Sequence, residues 1–122
     1  MSPSNIFYRG VTALTSLSFM ITGGTKLLGV PFQYESFASW GYPPLLMHAV
    51  GVVEVLCAIG IIFPKTRHFS VFFLYLIMGA ATGTHFVSNE FSAMIVPLVM
   101  TLGIWITDHP RIEVNYDHLD EE

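Results

Sequence analysis

Residues 44–63 are PLLMHAVGVVEVLCAIGIIF, an apolar run that contains one acidic side chain and no basic one. A helix needs about 20 mainly apolar residues to cross the hydrocarbon layer of a membrane. The run therefore predicts a membrane-spanning helix. It is expected to end before Pro64, because proline cannot continue a helix, and Pro43 and Pro44 suit its first turn, where a missing N–H removes no bond.

Three further apolar runs flank this one, at residues 6–28, 69–87 and 91–107. Pro97 lies inside the last run and is expected to kink that helix. The segment between the first two helices is rich in aromatic residues, proline and glycine. Trp and Tyr favour the headgroup region, so we expect an interfacial loop with one amphipathic turn. The predicted fold is an all-α membrane protein: an antiparallel bundle of four transmembrane helices forming a single domain, residues 1–122, with a short acidic tail at 111–122.

Composition supports this class of protein. The chain is 52% hydrophobic and 11% charged, with a mean hydropathy of +0.59, whereas soluble domains carry about 25% charged residues. No basic patch is present, which argues against a nucleic-acid partner. Cys57 is the single cysteine, which excludes an internal disulfide and a cysteine-rich metal site. The expected partner of most of the surface is the lipid bilayer.

The basic residues predict the orientation, because cytoplasmic loops carry an excess of Lys and Arg. Four crossings place both termini on one side, which then holds Arg9, Lys65, Arg67 and Arg111, while the opposite side holds Lys26. We therefore predict cytoplasmic N- and C-termini (N-in/C-in) and a multi-pass location in the cell (inner) membrane.

Glu54 is the least expected residue in these apolar runs. It lies about 15 Å from the start of its helix at 1.5 Å per residue, near the middle of the membrane. An ionisable side chain there costs about 2.5–3.5 kcal/mol on insertion scales and usually faces the interior of a bundle. Gly51 and Ala58 share the face of Glu54, and small residues let helices approach closely. We therefore expect Glu54 to face a neighbouring helix.

Other polar side chains are expected in the same half of the bundle, opposite the termini. Lys26 lies near the end of the first helix, His48 lies early in the second, and His85 and Thr84 lie near the end of the third. Together with Glu54 they are the candidate lining of a polar pocket. Small residues of the third helix are expected to allow close helix contact there: Gly79, Ala80, Ala81 and Gly83.

Each of these residues also has a purely structural interpretation. Lys26 could extend to the headgroups, or it could form a buried ion pair with Glu54 that has no chemical role. His85 could bind a backbone carbonyl group, and His48 could be solvated at the membrane surface. Thr84 could donate a hydrogen bond to its own helix. The residues alone leave these interpretations open.

No metal site is predicted. Two histidines and a carboxylate can hold a metal, but His48, Glu54 and His85 lack the close Glu-x-x-His spacing of helical metal sites. No nucleotide-binding loop, Ser-His-Asp pattern or zinc motif occurs. The residues therefore indicate no evident cofactor and do not decide whether the protein is an enzyme.

Four short motifs follow one another along the chain: GTKLLG at 24–29, WGYP at 40–43, GVVE at 51–54 and MGAATGTH at 78–85. Together they resemble the DoxX-like family of small membrane proteins, over about residues 9–105. The resemblance implies a four-helix membrane bundle, with Lys26, Glu54 and His85 at motif positions. It also implies a range of functions: a subunit associated with a quinone-linked oxidase that handles thiosulfate, partners in membrane redox complexes, and receptor assembly in animals.

The leading hypothesis is an accessory subunit of a quinone-linked membrane redox system, with a membrane redox partner or a homo-oligomeric state. A quinone headgroup would bind in the polar pocket, where Glu54 accepts or relays a proton and His85 donates a hydrogen bond to a carbonyl oxygen. Lys26 would set the charge state of Glu54. One alternative is a non-catalytic assembly or interaction protein, in which these residues only fix helix register. Another is a small-solute or proton-coupled transporter, with Glu54 as the midplane carrier.

Overall fold

The computed structural model describes residues 3–109, and over that range the chain is entirely helical. The helices are α1 (Pro3–Leu28), α2 (Pro31–Ser39), α3 (Pro44–Gly60), α4 (Arg67–Val87) and α5 (Ile95–Asp108), with a 3₁₀ turn, Ser92–Met94, before α5. The all-α prediction is confirmed for this range. The acidic tail, including Arg111, lies outside the described residues.

Four of the helices form a closed ring. α1 packs on α3, α3 on α4, α4 on α5, and α5 on α1. In the first pair, His48 Nδ1 lies 3.0 Å from the carbonyl oxygen of Leu27, and Ser16 Oγ donates a hydrogen bond to the carbonyl of Ala58 at 2.6 Å. The late part of α1 thus meets the early part of α3, so these two helices are antiparallel.

The helices differ in how well they suit a membrane crossing. α4 is long and apolar enough to cross by itself. α1 and α2 are together long and apolar enough to cross, but they are bent by 80° relative to each other. α3 and α5 are apolar but shorter. Length and composition therefore mark one or at most two spans among the described residues, rather than the four predicted. α3 and α5 fall short because the helical part of each apolar run is shorter than the run itself, whereas the long α1 qualifies only together with α2.

α3 ends three residues before its predicted end because side chains bind its last carbonyl groups. Thr66 Oγ1 donates a hydrogen bond to the carbonyl of Gly60 at 2.7 Å, and Arg67 Nε donates to the carbonyl of Ile61 at 2.8 Å. The last carbonyls of a helix have no intrahelical partner, and these two donors supply one. α4 accordingly begins at Arg67, two residues before the predicted start at Phe69.

The aromatic segment after α1 is a helix, not the expected loop with one turn. α1 ends where Gly29 adopts a φ of +65°, a left-handed conformation that favours glycine. Pro31 then occupies the first turn of α2. α2 contacts both α1 and α3 and lies across the bundle at the end where α3 begins and α4 ends. We call this the outer end and the opposite one the inner end.

Pro97 does not kink a longer helix, contrary to the prediction. It is the third residue of α5, directly after the 3₁₀ turn. The first N–H groups of a helix have no intrahelical acceptor, so the missing N–H of proline removes no hydrogen bond there. The predicted helix at 91–107 is therefore a 3₁₀ turn followed by α5.

The interior of the ring contains large apolar side chains, and buried hydroxyl groups accompany them in the inner half: Thr12, Thr15, Ser16, Ser70 and Thr107. The buried carboxylate of Glu54 lies further towards the outer end. Large side chains that are completely or almost completely buried include Phe19, Ile61, Leu74 and Ile104. The outward faces of all four ring helices are also apolar. Exposed large residues on them include Leu14, Leu56, Leu76 and Leu98.

Candidate functional site

A buried ion pair joins α1 to α3. The Nζ atom of Lys26 lies 3.2 Å from Oε1 of Glu54 and 3.4 Å from Oε2. Thr22, one turn before Lys26, donates a hydrogen bond from Oγ1 to Oε2 at 2.7 Å. Glu54 is 0% exposed, and the Lys26 side chain is 13% exposed. We call these three residues the ion-pair site.

Two glycines let the helices approach closely enough to bury this pair. A Cβ atom added to Gly51 would lie 2.7 Å from the backbone nitrogen of Leu27 and 2.8 Å from the carbonyl oxygen of Gly23. A Cβ added to Gly23 would lie 2.8 Å from the Cβ of Glu54. No side chain fits at either position. Glu54 therefore faces a neighbouring helix, as the small-residue face of α3 predicted.

The predicted close contact through the glycines of α4 is wrong. Gly79 and Gly83 are exposed, and a Cβ added to either one would meet no atom within 4 Å. Sequence alone cannot distinguish a small residue that faces a neighbouring helix from one that faces outward. The close contact in this bundle lies between α1 and α3 instead.

His48 binds the end of α1. Its Nδ1 lies 3.0 Å from the carbonyl oxygen of Leu27, one of the last carbonyls of that helix. The same imidazole lies against Gly29, where an added Cβ would be 3.2 Å from its Cε1. His48 thus holds the chain reversal between α1 and α2. The hydrogen-bond contact of the His48 imidazole is with the backbone of α1 rather than with Glu54.

A second polar group of side chains closes the outer end. Trp40 Nε1 donates a hydrogen bond to Oε1 of Glu90 at 2.6 Å, and the Trp40 ring lies edge-on to the His85 ring at 5.2 Å. Tyr42 and Thr84 share a hydrogen bond of 2.8 Å between their hydroxyl groups. We call these five residues the outer-end cluster. They connect the segment after α2 to the end of α4.

The predicted pocket residues therefore divide among three places. Lys26 and Glu54 form the ion-pair site, His48 binds α1, and Thr84 and His85 belong to the outer-end cluster. Sequence reasoning missed Thr22, Trp40, Tyr42 and Glu90 as partners. Thr22 could have been found, since it lies four residues before Lys26 on the same face of α1.

Two buried polar atoms of these sites lack a hydrogen bond from the described residues. Oε1 of Glu54 is at ion-pair distance from Lys26, but the hydrogen bond of the ammonium group goes to Oε2. Nδ1 of His85 lies 3.5 Å from Oε1 of Glu90, which already accepts from Trp40. Buried polar atoms are normally hydrogen-bonded. The carboxylate oxygen remains in ion-pair contact with Lys26, so the imidazole nitrogen of His85 is the atom here that a further hydrogen-bond partner would satisfy.

Two cavities open on the sides of the bundle. One of about 250 Å³ lies between α1 and α5. The other, of about 530 Å³, lies between α3 and α4 towards the inner end. Neither is lined by Lys26, Glu54 or His85, so neither leads to the ion pair. Within residues 3–109, no three His, Cys, Asp or Glu side chains are grouped in a way that could hold a metal ion.

A sequence profile of the DoxX-like family matches residues 10–107, and this range includes all the site residues described above. The chain belongs to the DoxX-like family. No curated protein and no solved structure matches it. DoxX-like proteins are generally membrane-associated, which agrees with the exposed apolar faces of the ring helices.

Proposed function

We propose that this DoxX-like protein crosses the membrane four times and acts as a non-catalytic accessory or assembly component, in which the ion-pair site fixes the packing of α1 on α3. The observation that carries the proposal is the complete burial of Glu54. Its carboxylate contacts Lys26 and Thr22 of the same chain and has no exposed surface. A group enclosed in this way serves helix packing directly, whereas a substrate group would need access.

The exposed surface supports the four crossings. Apolar side chains cover the outward faces of all four ring helices, including the shorter α3 and α5; Leu56 and Leu98, for example, are both more than half exposed. Exposed apolar faces of this extent are favourable in lipid and unfavourable in water. At the outer end, Trp40 and Tyr42 suit the headgroup region. At the inner end, Lys65 and Arg67 are consistent with the cytoplasmic side.

A quinone-linked role is the second candidate, and Nδ1 of His85, a buried atom without a hydrogen bond from the described residues, favours it. Quinones offer carbonyl oxygens that accept hydrogen bonds, and quinols offer hydroxyl groups that donate them. Nδ1 of His85, in the tautomer that carries its proton, would donate to a quinone carbonyl. Oε1 of Glu54 would accept from a quinol hydroxyl. In this role the protein is an accessory subunit of a membrane redox system and binds the headgroup near the outer end.

One experiment separates the two candidates. The purified wild-type protein and Glu54→Gln are unfolded thermally in detergent, with and without a short-chain quinone. Glu35→Gln, which changes an exposed carboxylate of α2, is the matched control. The packing role predicts that Glu54→Gln lowers the unfolding temperature and that quinone changes it for no variant. Stabilisation of wild type and Glu35→Gln by quinone, without stabilisation of Glu54→Gln, would replace the packing role with the redox role.

The accessory role also predicts a partner protein. A tagged chain purified from its native membrane should carry a stoichiometric membrane partner, and the level of this partner should fall when the chain is deleted. Restoring the chain as Glu35→Gln should restore the partner level. A chain that purifies alone and whose deletion changes the level of no membrane protein would contradict an assembly role.

A further inference from the structure

The cavity between α3 and α4 is a groove on the outward face of the bundle. The buried or partly buried residues Cys57, Gly60 and Ser70 line it, together with the half-buried Val53 and with exposed apolar side chains: Leu56, Ile59, Phe63, Phe69 and Phe73. A Cβ added to Gly60 would collide with Ser70, so the two helices lie close together at this point. We call it the α3–α4 groove.

The α3–α4 groove runs along the inner half of α3. From Val53 to the end of α3 at Gly60 the helix advances roughly 10 Å at the helical rise of 1.5 Å per residue, and Phe63 and Thr66 continue the lining beyond this end. The hydrocarbon layer of a membrane is about 30 Å thick, so one leaflet accounts for about 15 Å. The groove therefore offers an acyl chain apolar contact along most of the inner leaflet.

The inner end of the α3–α4 groove is basic. Thr66 lines the groove there, between Lys65, which is exposed, and Arg67, whose guanidinium group donates to the carbonyls of Ile61 and Ile62. Among the described residues of this end, the carboxylate of Asp108 lies 3.5 Å from Nδ1 of His68. Two basic residues thus flank Thr66, the lining residue at the inner end of an apolar groove, and this combination suits the headgroup of an anionic lipid.

We propose that the α3–α4 groove binds one anionic phospholipid of the cytoplasmic leaflet. One acyl chain lies along α3 over Cys57 and Gly60, and the phosphate group binds Lys65, with Arg67 adding positive charge. This inference rests on the four-span topology proposed above, because that topology places the inner end at the cytoplasmic surface. It is independent of any quinone or partner protein.

The test measures bound lipid on the full-length protein. Wild type is reconstituted in phosphatidylcholine containing phosphatidylglycerol and extracted gently, and the lipids retained per chain are counted by native mass spectrometry. We expect one retained phosphatidylglycerol in preference to phosphatidylcholine. Lys65→Gln should reduce this preference about fivefold, since the attraction of one basic residue to an anionic lipid surface corresponds to about a fivefold change in affinity. Leu56→Trp, which fills the groove, should remove the retained lipid.

Two matched variants control for general effects. Arg9→Gln removes one positive charge from the same side of the membrane, and Leu76→Trp enlarges an exposed residue of α4 outside the groove. Both should retain the lipid as wild type does, and circular dichroism should show that all variants are folded. Equal retention of the two lipids by wild type would overturn the proposal, as would an unchanged preference in Lys65→Gln. If Leu56→Trp instead converts a dimer to a monomer without changing the lipid count, the groove is an interface between two copies.

The outcome is separable from that of the proposed function. A packing or redox role of Glu54 is read from unfolding temperatures with and without quinone, whereas the lipid site is read from retained phosphatidylglycerol. Loss of the lipid preference therefore leaves the function of the ion-pair site unaffected. Failure of the four-span topology, in contrast, would appear in the labelling experiment described below.

Discussion

At the scale of single residues, the carboxylate of Glu54 and the ammonium group of Lys26 each make the burial of the other tolerable. Taking an ion out of water carries a penalty of several kcal/mol, and an opposite charge at close range offsets it only if both partners remain. Here Thr22 also donates to the carboxylate. Removing one member should therefore be much worse than removing both.

We predict that Lys26→Met lowers the free energy of unfolding by about 3–5 kcal/mol, because it leaves the Glu54 carboxylate buried without its counter-ion. Adding Glu54→Leu should recover most of the loss, since an apolar pair of similar volume can replace a buried ion pair. Titration of the folded protein with a denaturing detergent measures both variants. A double variant as unstable as the single one would show that the pair is not the element that stabilises this contact.

The two kinds of glycine should respond in opposite ways to the same change. Gly51→Ala places a methyl group 2.7 Å from the backbone of α1 and should destabilise the protein by about 1–3 kcal/mol. Gly79→Ala meets no atom within 4 Å and should be neutral or stabilising by up to about 1 kcal/mol, because alanine favours a helix. The same detergent titration applies. Equal effects of the two changes would contradict the close contact between α1 and α3.

Residue patterns predicted some of these contacts and missed others. The small residues beside Glu54 indicated correctly that it faces another helix, and an ion pair with Lys26 was one of the two interpretations left open for that lysine. The contact of His85 with Trp40 could not be predicted, because Trp40 approaches it from a distant part of the chain, whereas Glu90 follows it by five residues just beyond the end of α4. The outward orientation of Gly79 depends on the rotation of α4 about its axis, which a small apolar residue does not specify.

At the scale of elements, the outer-end cluster is the polar connection between the segment after α2 and the end of α4. Tyr42 and Thr84 add a second hydrogen bond to that between Trp40 and Glu90. α2 itself is also tied to α1, since Gln33 Nε2 donates to Thr25 Oγ1 at 3.1 Å. The four ring helices were predictable from apolar runs, and the ends of α1 at Leu28 and of α4 at Val87 match the prediction. α2 was not predicted as a helix. The end of α3 was missed because Thr66 and Arg67 bind its last carbonyl groups through their side chains.

We predict that Trp40→Phe loosens α2, because it keeps an aromatic ring but removes the hydrogen bond to Glu90. Backbone hydrogen exchange of residues 31–42 should increase severalfold in this variant, while exchange in α3 stays unchanged. Ser39→Ala is the control, since the Ser39 hydroxyl donates a hydrogen bond within α2, to the nearby carbonyl of Ser36. If exchange is the same in Trp40→Phe and Ser39→Ala, the outer-end cluster does not hold this segment.

At the scale of the whole molecule, the number of crossings is the decisive question, since one or two helices are clear spans by length and four are proposed. The ends of α3 distinguish the two cases. If α3 crosses, Ser39 and Lys65 lie on opposite sides of the membrane. If it does not, they lie on the same side.

Single cysteines at these positions, in a Cys57→Ala background, should therefore react differently with a membrane-impermeant maleimide. We expect Ser39→Cys to be labelled in intact cells or spheroplasts, and Lys65→Cys to be labelled only after the membrane is opened. Labelling both sites again after solubilisation controls for reactivity. Labelling of both from outside would show that α3 does not cross, and reversed sidedness would overturn the N-in orientation.

The unequal lengths of the helices have a consequence for the membrane itself. At the helical rise, α3 and α5 extend about 26 and 21 Å, less than a hydrocarbon layer of about 30 Å, whereas α1 and α4 are long enough to match or exceed it. Long and short helices alternate around the ring. If all four helices cross as proposed, tilting the whole bundle cannot equalise them, and the bilayer is expected to thin beside α3 and α5 while α1 and α4 match or exceed its thickness. Bilayer thickness would then contribute to where among a cell's membranes the protein is retained.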